Sequence, residues 1–191
     1  MAKRNVSEIE GAESFIDFVS AMIGVVREKV YPFVAIYRLA TAGGSTAFSA
    51  PVVYLQPELE ELKRRFPAYV NPDYQATRFD PIERCKTVSK ENREVAFEYV
   101  HMDRYASTDE VLAEFDRKRL RPALYEELLG FDEKYPDEQR KHPIVALGSG
   151  TDVRGRRRVA YLWYGGLGRH LNLHWIDDDW LGNCRFLAVR K

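Results

Sequence analysis

The chain reads as an α+β protein, on two features. One is a helical middle third, opened by the capping box Ser107-Thr108-Asp109-Glu110. The other is the last third, after His142, where apolar and polar residues alternate with period two between Gly-rich and Asp-rich turns. Its 191 residues are 45% hydrophobic and 30% charged, ordinary for one soluble globule with or without an N-terminal elaboration. That apolar content is far too high for a disordered chain.

Ser14 can cap a helix running to about Lys29, since Phe15, Phe18, Val19, Met22, Ile23, Val26 and Val30 follow helical spacing. Its wide apolar face needs burial, in a core or in an oligomer. Phe33 to Leu39 and Ala47 to Leu55 read as strands of a hairpin across Gly43-Gly44-Ser45. Pro57 opens a short helix to Arg65, with acids at its positive end and bases at its negative end. Phe66 to Lys90, interrupted by Pro67, Pro72 and Pro81, is an ordered but irregular connection. Glu94 to His101 is a strand with Val95, Phe97 and Tyr99 on one face. The capping box starts a helix carrying Val111, Leu112 and Phe115. Pro122 opens the next, which Gly130 ends. Ile144 to Leu147, Val159 to Trp163, Arg169 to Trp175 and Arg185 to Val189 are the closing strands.

Twenty-nine basic residues are matched by 29 acidic ones, so no global positive charge exists to drive nucleic-acid binding. Cys85 and Cys184 cannot build a disulfide framework or a four-cysteine zinc site. No basic patch precedes an apolar run at the N-terminus. The longest apolar stretch, Phe15 to Val26, is interrupted by Asp17 and Ser20. The expectation is no membrane and a cytoplasmic address, although a partner could carry the chain to a surface.

His170 and His174 are four residues apart, but Leu171, Leu173 and Trp175 alternate with His170, Asn172 and His174. In a strand that spacing puts the imidazoles on one face roughly 13 Å apart, too far for one metal. Asp177-Asp178-Asp179 lacks the alternation of a calcium loop and reads as a solvated turn. Arg154-Gly155-Arg156-Arg157-Arg158 reads as a charged hairpin tip, with a phosphate or nucleic-acid contact as its sharper alternative. Gly148-Ser149-Gly150 is neither a P-loop nor a nucleophile elbow, and Cys184 has no sequence-local base. No cofactor, metal or catalytic group is expected.

One compositional feature stands out. Met1 to Lys141 holds 31 Lys, Glu, Gln and Met residues, whereas His142 to Arg190 holds none. At the first rate about eleven would fall in the second segment, and both Lys and Glu are common surface residues. Strands disfavour Lys and Glu, but exposed loops do not. From Tyr164 to Cys184 the polar and loop positions hold Tyr, Gly, Leu, Arg, His, Asn, Ile, Asp and Cys. All have codons ending in a pyrimidine, the set produced by replacing both adenines of an Asn codon. Trp175 and Trp180 fall outside it and would be scaffold.

Leu171 to Trp180, closed by Arg185-Phe186-Leu187-Ala188-Val189-Arg190, resembles the variable region of diversity-generating retroelement target proteins. Arg121 to Leu129 is similar to the "R-L-P-T-x-x-E-W" helix of the C-type-lectin and formylglycine-generating-enzyme superfamily, and Pro143 to Ser149 to its "R-G-G-S" strand. The terminal Arg-Phe-Leu-Ala-Val-Arg resembles its "G-F-R-x-V-R" ending, with Cys184 in place of the glycine. The resemblance covers Glu94 to Lys191. It implies a C-type lectin-like domain over 94–191, with a variable region at about 159–191 and an elaboration over 1–93.

The implied function is non-enzymatic binding of a variable partner, a protein above all, through a surface rewritten by a reverse transcriptase. The alternatives are an enzyme of the formylglycine-generating type, whose cysteine pair is not recognisable here, and nucleic-acid contact through 154–158. In this scheme Leu171, Leu173, Trp175, Trp180, Phe186 and Val189 fill the core, each contributing roughly 1.5–3 kcal/mol. Tyr164, Leu167, His170, Asn172, His174, Ile176, Asp177, Asp178, Leu181, Asn183 and Cys184 form one exposed patch that can change without unfolding the domain. The ligand and the oligomeric state are not legible in the sequence.

Overall fold

The alternation after His142 produces the centre of a large sheet. In the computed structural model, which describes residues 48–75 and 78–190, β6 (Ile144–Val153), β7 (Arg156–Gly165) and β8 (Gly168–Trp175) form an antiparallel meander. β9 (Arg185–Arg190) returns beside β6 in parallel. β4 (Arg93–Val100) lies antiparallel to β9, and β1 (Phe48–Val52) lies antiparallel to β4. β2 (Tyr69–Val70) joins the far side of β8, giving the order β1-β4-β9-β6-β7-β8-β2. Two short strands, β3 (Asp80–Pro81) and β5 (Leu120–Pro122), pair with β6 and β9 respectively. Three helices complete the described unit: α1 (Leu59–Arg65), α2 (Thr108–Arg117) and α3 (Tyr125–Lys134). The protein is thus mixed α+β with a large, mostly antiparallel sheet. None of the described helices is long and apolar enough to cross a membrane.

Period-two alternation divides the buried side chains between the two faces of the sheet. Ile144 and Ala146, Ala160 and Leu162, Leu171 and Leu173, and Leu187 and Val189 enter one core with Leu128, Leu129 and Phe131 of α3 and Leu62 of α1. Their neighbours Val145, Leu147, Val159, Phe186 and Ala188 enter a second core with Val111 and Phe115 of α2 and Trp180. β1 is the edge of the described sheet, a position that tolerates the Pro51 it contains.

The capping box forms as read: Ser107 Oγ accepts from Glu110 N, and a Glu110 carboxylate oxygen accepts from Ser107 N at 2.8 Å. The irregular stretch over 66–90 and the strands after His142 also appear. Other expectations need correction. The helix expected from Pro57 begins at Leu59. Pro122 does not open α3 but ends β5, and the helix starts three residues later. Gly130 does not terminate α3. It lies inside the helix because α3 packs so closely on β1 that a Cβ there would sit 2.8 Å from the Pro51 carbonyl oxygen. β1 pairs with β4, and residues 48–93 lie in the same compact unit as the rest of the described chain. The helix expected over 14–29 and the strand over 33–39 lie outside the described residues.

β6 is longer than expected and irregular between Ala146 and Thr151, where it leaves β7. In that kink Gly148 N donates to the Ala123 carbonyl at 2.8 Å. A Cβ on Gly148 would lie 2.5 Å from the Ala123 oxygen and 2.6 Å from that of Pro122. Next to it, the buried Ser149 Oγ accepts from Tyr125 N at 2.7 Å and so caps α3 from a distant strand. Gly148→Ala is expected to cost about 2–3 kcal/mol through this overpacking. A denaturation midpoint unchanged from the parent would contradict that close approach.

Candidate functional site

The β7–β8 hairpin determines which residues of the last third can meet a ligand. Its register opposes Trp163 to His170, Tyr161 to Asn172 and Val159 to His174. These pairs share one sheet face, while Leu162 and Leu171, and Ala160 and Leu173, are buried on the other. The Trp163 and His170 rings pack at a tilt with centroids 4.2 Å apart, and His174 packs at a tilt against Trp180 at 4.7 Å. Asn172 is a bracket: its Oδ1 accepts from Asn71 Nδ2 at 2.8 Å, and its Nδ2 donates to the Tyr161 hydroxyl at 3.1 Å. The Trp163 indole N–H and His170 Nε2 are buried without a hydrogen-bond partner among the described residues, an arrangement that folding alone disfavours.

The loop after β8 folds back over this face. Trp180 pairs through its backbone with Ala106 and donates its indole N–H to Thr108 Oγ1 at 2.8 Å. Thr108 Oγ1 in turn donates to the Ile176 carbonyl at 2.5 Å. Between loop and sheet lies a cleft of about 340 Å³. Its walls are Pro143, Val145 of β6, Tyr161 and Trp163 of β7, His174 of β8, and Asp179, Trp180, Leu181 and Cys184 of the loop.

The eleven residues expected to form one exposed patch are distributed differently. His174, Leu181 and Cys184 line this cleft, and His170 and Asn172 continue the same sheet face. Tyr164 does not: it is on the opposite face of β7, under the Arg140 guanidinium at 4.3 Å. Ile176 and Asp177 line a second cleft, of about 490 Å³, with Arg84, Thr108 and Leu112. Leu167, at 89% exposure, is in the β7–β8 turn, and Asp178 and Asn183 are exposed in the loop. Cys184 is not exposed but buried, because the end of the loop turns it into the second core. His170, Asn172, His174 and Ile176 are half-buried, and their contacts give them a larger structural role than open surface positions have.

Trp175 also departs from expectation. At the end of β8 it is half-buried rather than a core residue, with the guanidinium groups of Arg158 and Arg156 at 3.7 and 4.2 Å from its ring centre. The other five expected core residues are buried. Sequence reasoning missed Tyr161, Trp163 and Asp179 as site residues. The first two were visible as the aromatic partners of inward Ala160 and Leu162.

The basic hairpin tip is largely engaged within the chain. Arg156 pairs with Asp178 at 3.6 Å, Arg157 donates to the Asp80 carbonyl at 3.0 Å, and Arg158 pairs with Asp73 at 2.7 Å. Burial pushes the Cys184 thiol above its ordinary value, against the thiolate that nucleophilic chemistry requires. No group of three or more His, Cys, Asp or Glu side chains among the described residues converges as a metal ion would require. No protein-family model, curated protein or solved structure matches the chain.

Proposed function

We propose that the chain is a non-enzymatic binding protein of the diversity-generating retroelement type. Its C-type lectin-like domain over 94–191 presents a rewritable face to a variable protein partner. The observation that carries this reading is the division of labour along β8. Leu171 and Leu173 are buried in the core, whereas His170, Asn172 and His174 share the opposite face with the aromatic pair of β7. These three positions have the codon-compatible residue types noted in the sequence, and the residues between them hold the sheet together. The aromatic, aliphatic and polar mixture of the face suits a protein partner, whose contact surfaces favour Trp and Tyr at their centre. Burial of Cys184 raises its thiol, which argues against a thiolate nucleophile at that one position.

The locus provides the direct test. A reverse-transcriptase gene beside a near-copy of the coding stretch for about 159–191, differing only at template adenines, is the expected result. A near-copy with mismatches scattered over all four bases would overturn the reading. So would a partner whose binding survives simultaneous replacement of His170 and His174.

A further inference from the structure

We infer that the cleft between the β6–β8 face and the 176–184 loop takes a cationic side chain, a lysine or arginine of the partner. This inference rests on the proposed binding role of that face and names the chemistry it selects. Tyr161 and Trp163 give the cleft two half-buried aromatic walls beside the buried Trp180, and aromatic faces attract cations through their negative quadrupole. Its charge is one-sided: Asp179 contributes a carboxylate, and no Lys or Arg lines it. Asp179 is exposed and makes no ion pair with any described residue, whereas its neighbour Asp178 is taken by Arg156. His174 contributes an imidazole wall whose Nδ1 donates to the Trp175 carbonyl at 3.0 Å. A volume of about 340 Å³ is ample for a lysine or arginine side chain but small for a folded element. An aliphatic side chain would fill the walls and leave Asp179 unanswered. An acidic one would face it directly.

The test uses the full chain labelled with ¹⁵N and four small probes. Two are cations, Nα-acetyl-lysine amide and Nα-acetyl-arginine amide. Two are neutral counterparts, Nα-acetyl-norleucine amide and Nα-acetyl-citrulline amide. The cations are expected to shift the Trp163 indole signal saturably and to bind about tenfold more tightly than the neutral probes, a difference of about 1.4 kcal/mol. Asp179→Asn, at an exposed position, is expected to leave the melting temperature unchanged and to remove most of that preference. Equal binding of norleucine and lysine amides, or a preference that survives Asp179→Asn, would overturn the inference. So would indole signals that do not respond to the cations at all. If these probes fail but a protein partner still maps to His170 and His174, the cation cleft is wrong and the binding face stands. If the probes bind but partner contacts map elsewhere, the proposed function is wrong and the cleft chemistry stands.

Discussion

Glu127→Ala is expected to lower stability by about 3–5 kcal/mol, the range for breaking a buried ion pair from one side. Glu127 is fully buried and its carboxylate accepts four hydrogen bonds. Two come from the Arg121 guanidinium, at 2.7 and 2.6 Å, in a fork-to-fork pair. The others come from Leu124 N at 2.8 Å and the Tyr54 hydroxyl at 2.7 Å. Truncation leaves the Arg121 charge buried with the Pro122 carbonyl, 3.3 Å away, as its one remaining hydrogen-bond acceptor among the described residues, and removes the acceptor for Leu124 N at the start of α3. Burial opposes the charge on Arg121, but Glu127 more than compensates and holds the guanidinium above its ordinary pKa. Burial and then Glu127 likewise push the Tyr54 hydroxyl upward. Arg121→Met with Glu127→Leu is expected to recover much of the loss, since a paired apolar replacement leaves no stranded charge. Urea denaturation of the two single variants and the double variant measures the coupling. A Glu127→Ala loss below about 1 kcal/mol, the range of surface pairs, would contradict the account.

Patterns that act within one element were the legible ones. The Ser107–Glu110 capping box, the Val95–Phe97–Tyr99 alternation and the Leu171–Leu173 alternation each depend on a few adjacent residues. The misplaced start of α3 has a different cause. Pro122 and Gly130 are both conventional boundary residues, but here β5 pairing uses the first and the close approach to β1 uses the second. At the start of α3 Glu127 caps Leu124 N locally, but the acceptor for Tyr125 N is Ser149, 24 positions away, and no local pattern reveals it. The candidate site divides the same way. The shared face of His170, Asn172 and His174 follows from period two. Trp163 and Tyr161 join it only through the β7–β8 register, closed by the Gly165–Gly168 pair around Gly166 and Leu167. The loop was harder still. Nothing local separates Ile176 and Asp177, which line one cleft, from Asp179 and Leu181, which line another.

Trp180→Ala is expected to cost about 3–5 kcal/mol, and Trp175→Ala only about 1–2 kcal/mol, although both are tryptophans of the same loop-proximal segment. Trp180 is 3% exposed in the second core, edge-on to Phe186 at 5.6 Å. Its truncation leaves a cavity under α2 and deprives Thr108 of the indole donor. The same change loosens the loop that forms one wall of the cleft, so it should weaken any ligand bound there as well. Trp175 has less to lose, because its contacts are chiefly two arginines near the surface, each worth about 0.5–1 kcal/mol. Trp180→Phe separates packing from the hydrogen bond. It keeps most of the ring volume and forfeits only the bond to Thr108, a net loss of about 0.5–1.5 kcal/mol for the bond itself. Chemical denaturation of the three variants reads these values directly. Equal losses for Trp175→Ala and Trp180→Ala would mean that the loop does not pack as described, and the cleft it encloses with the sheet would fall with it.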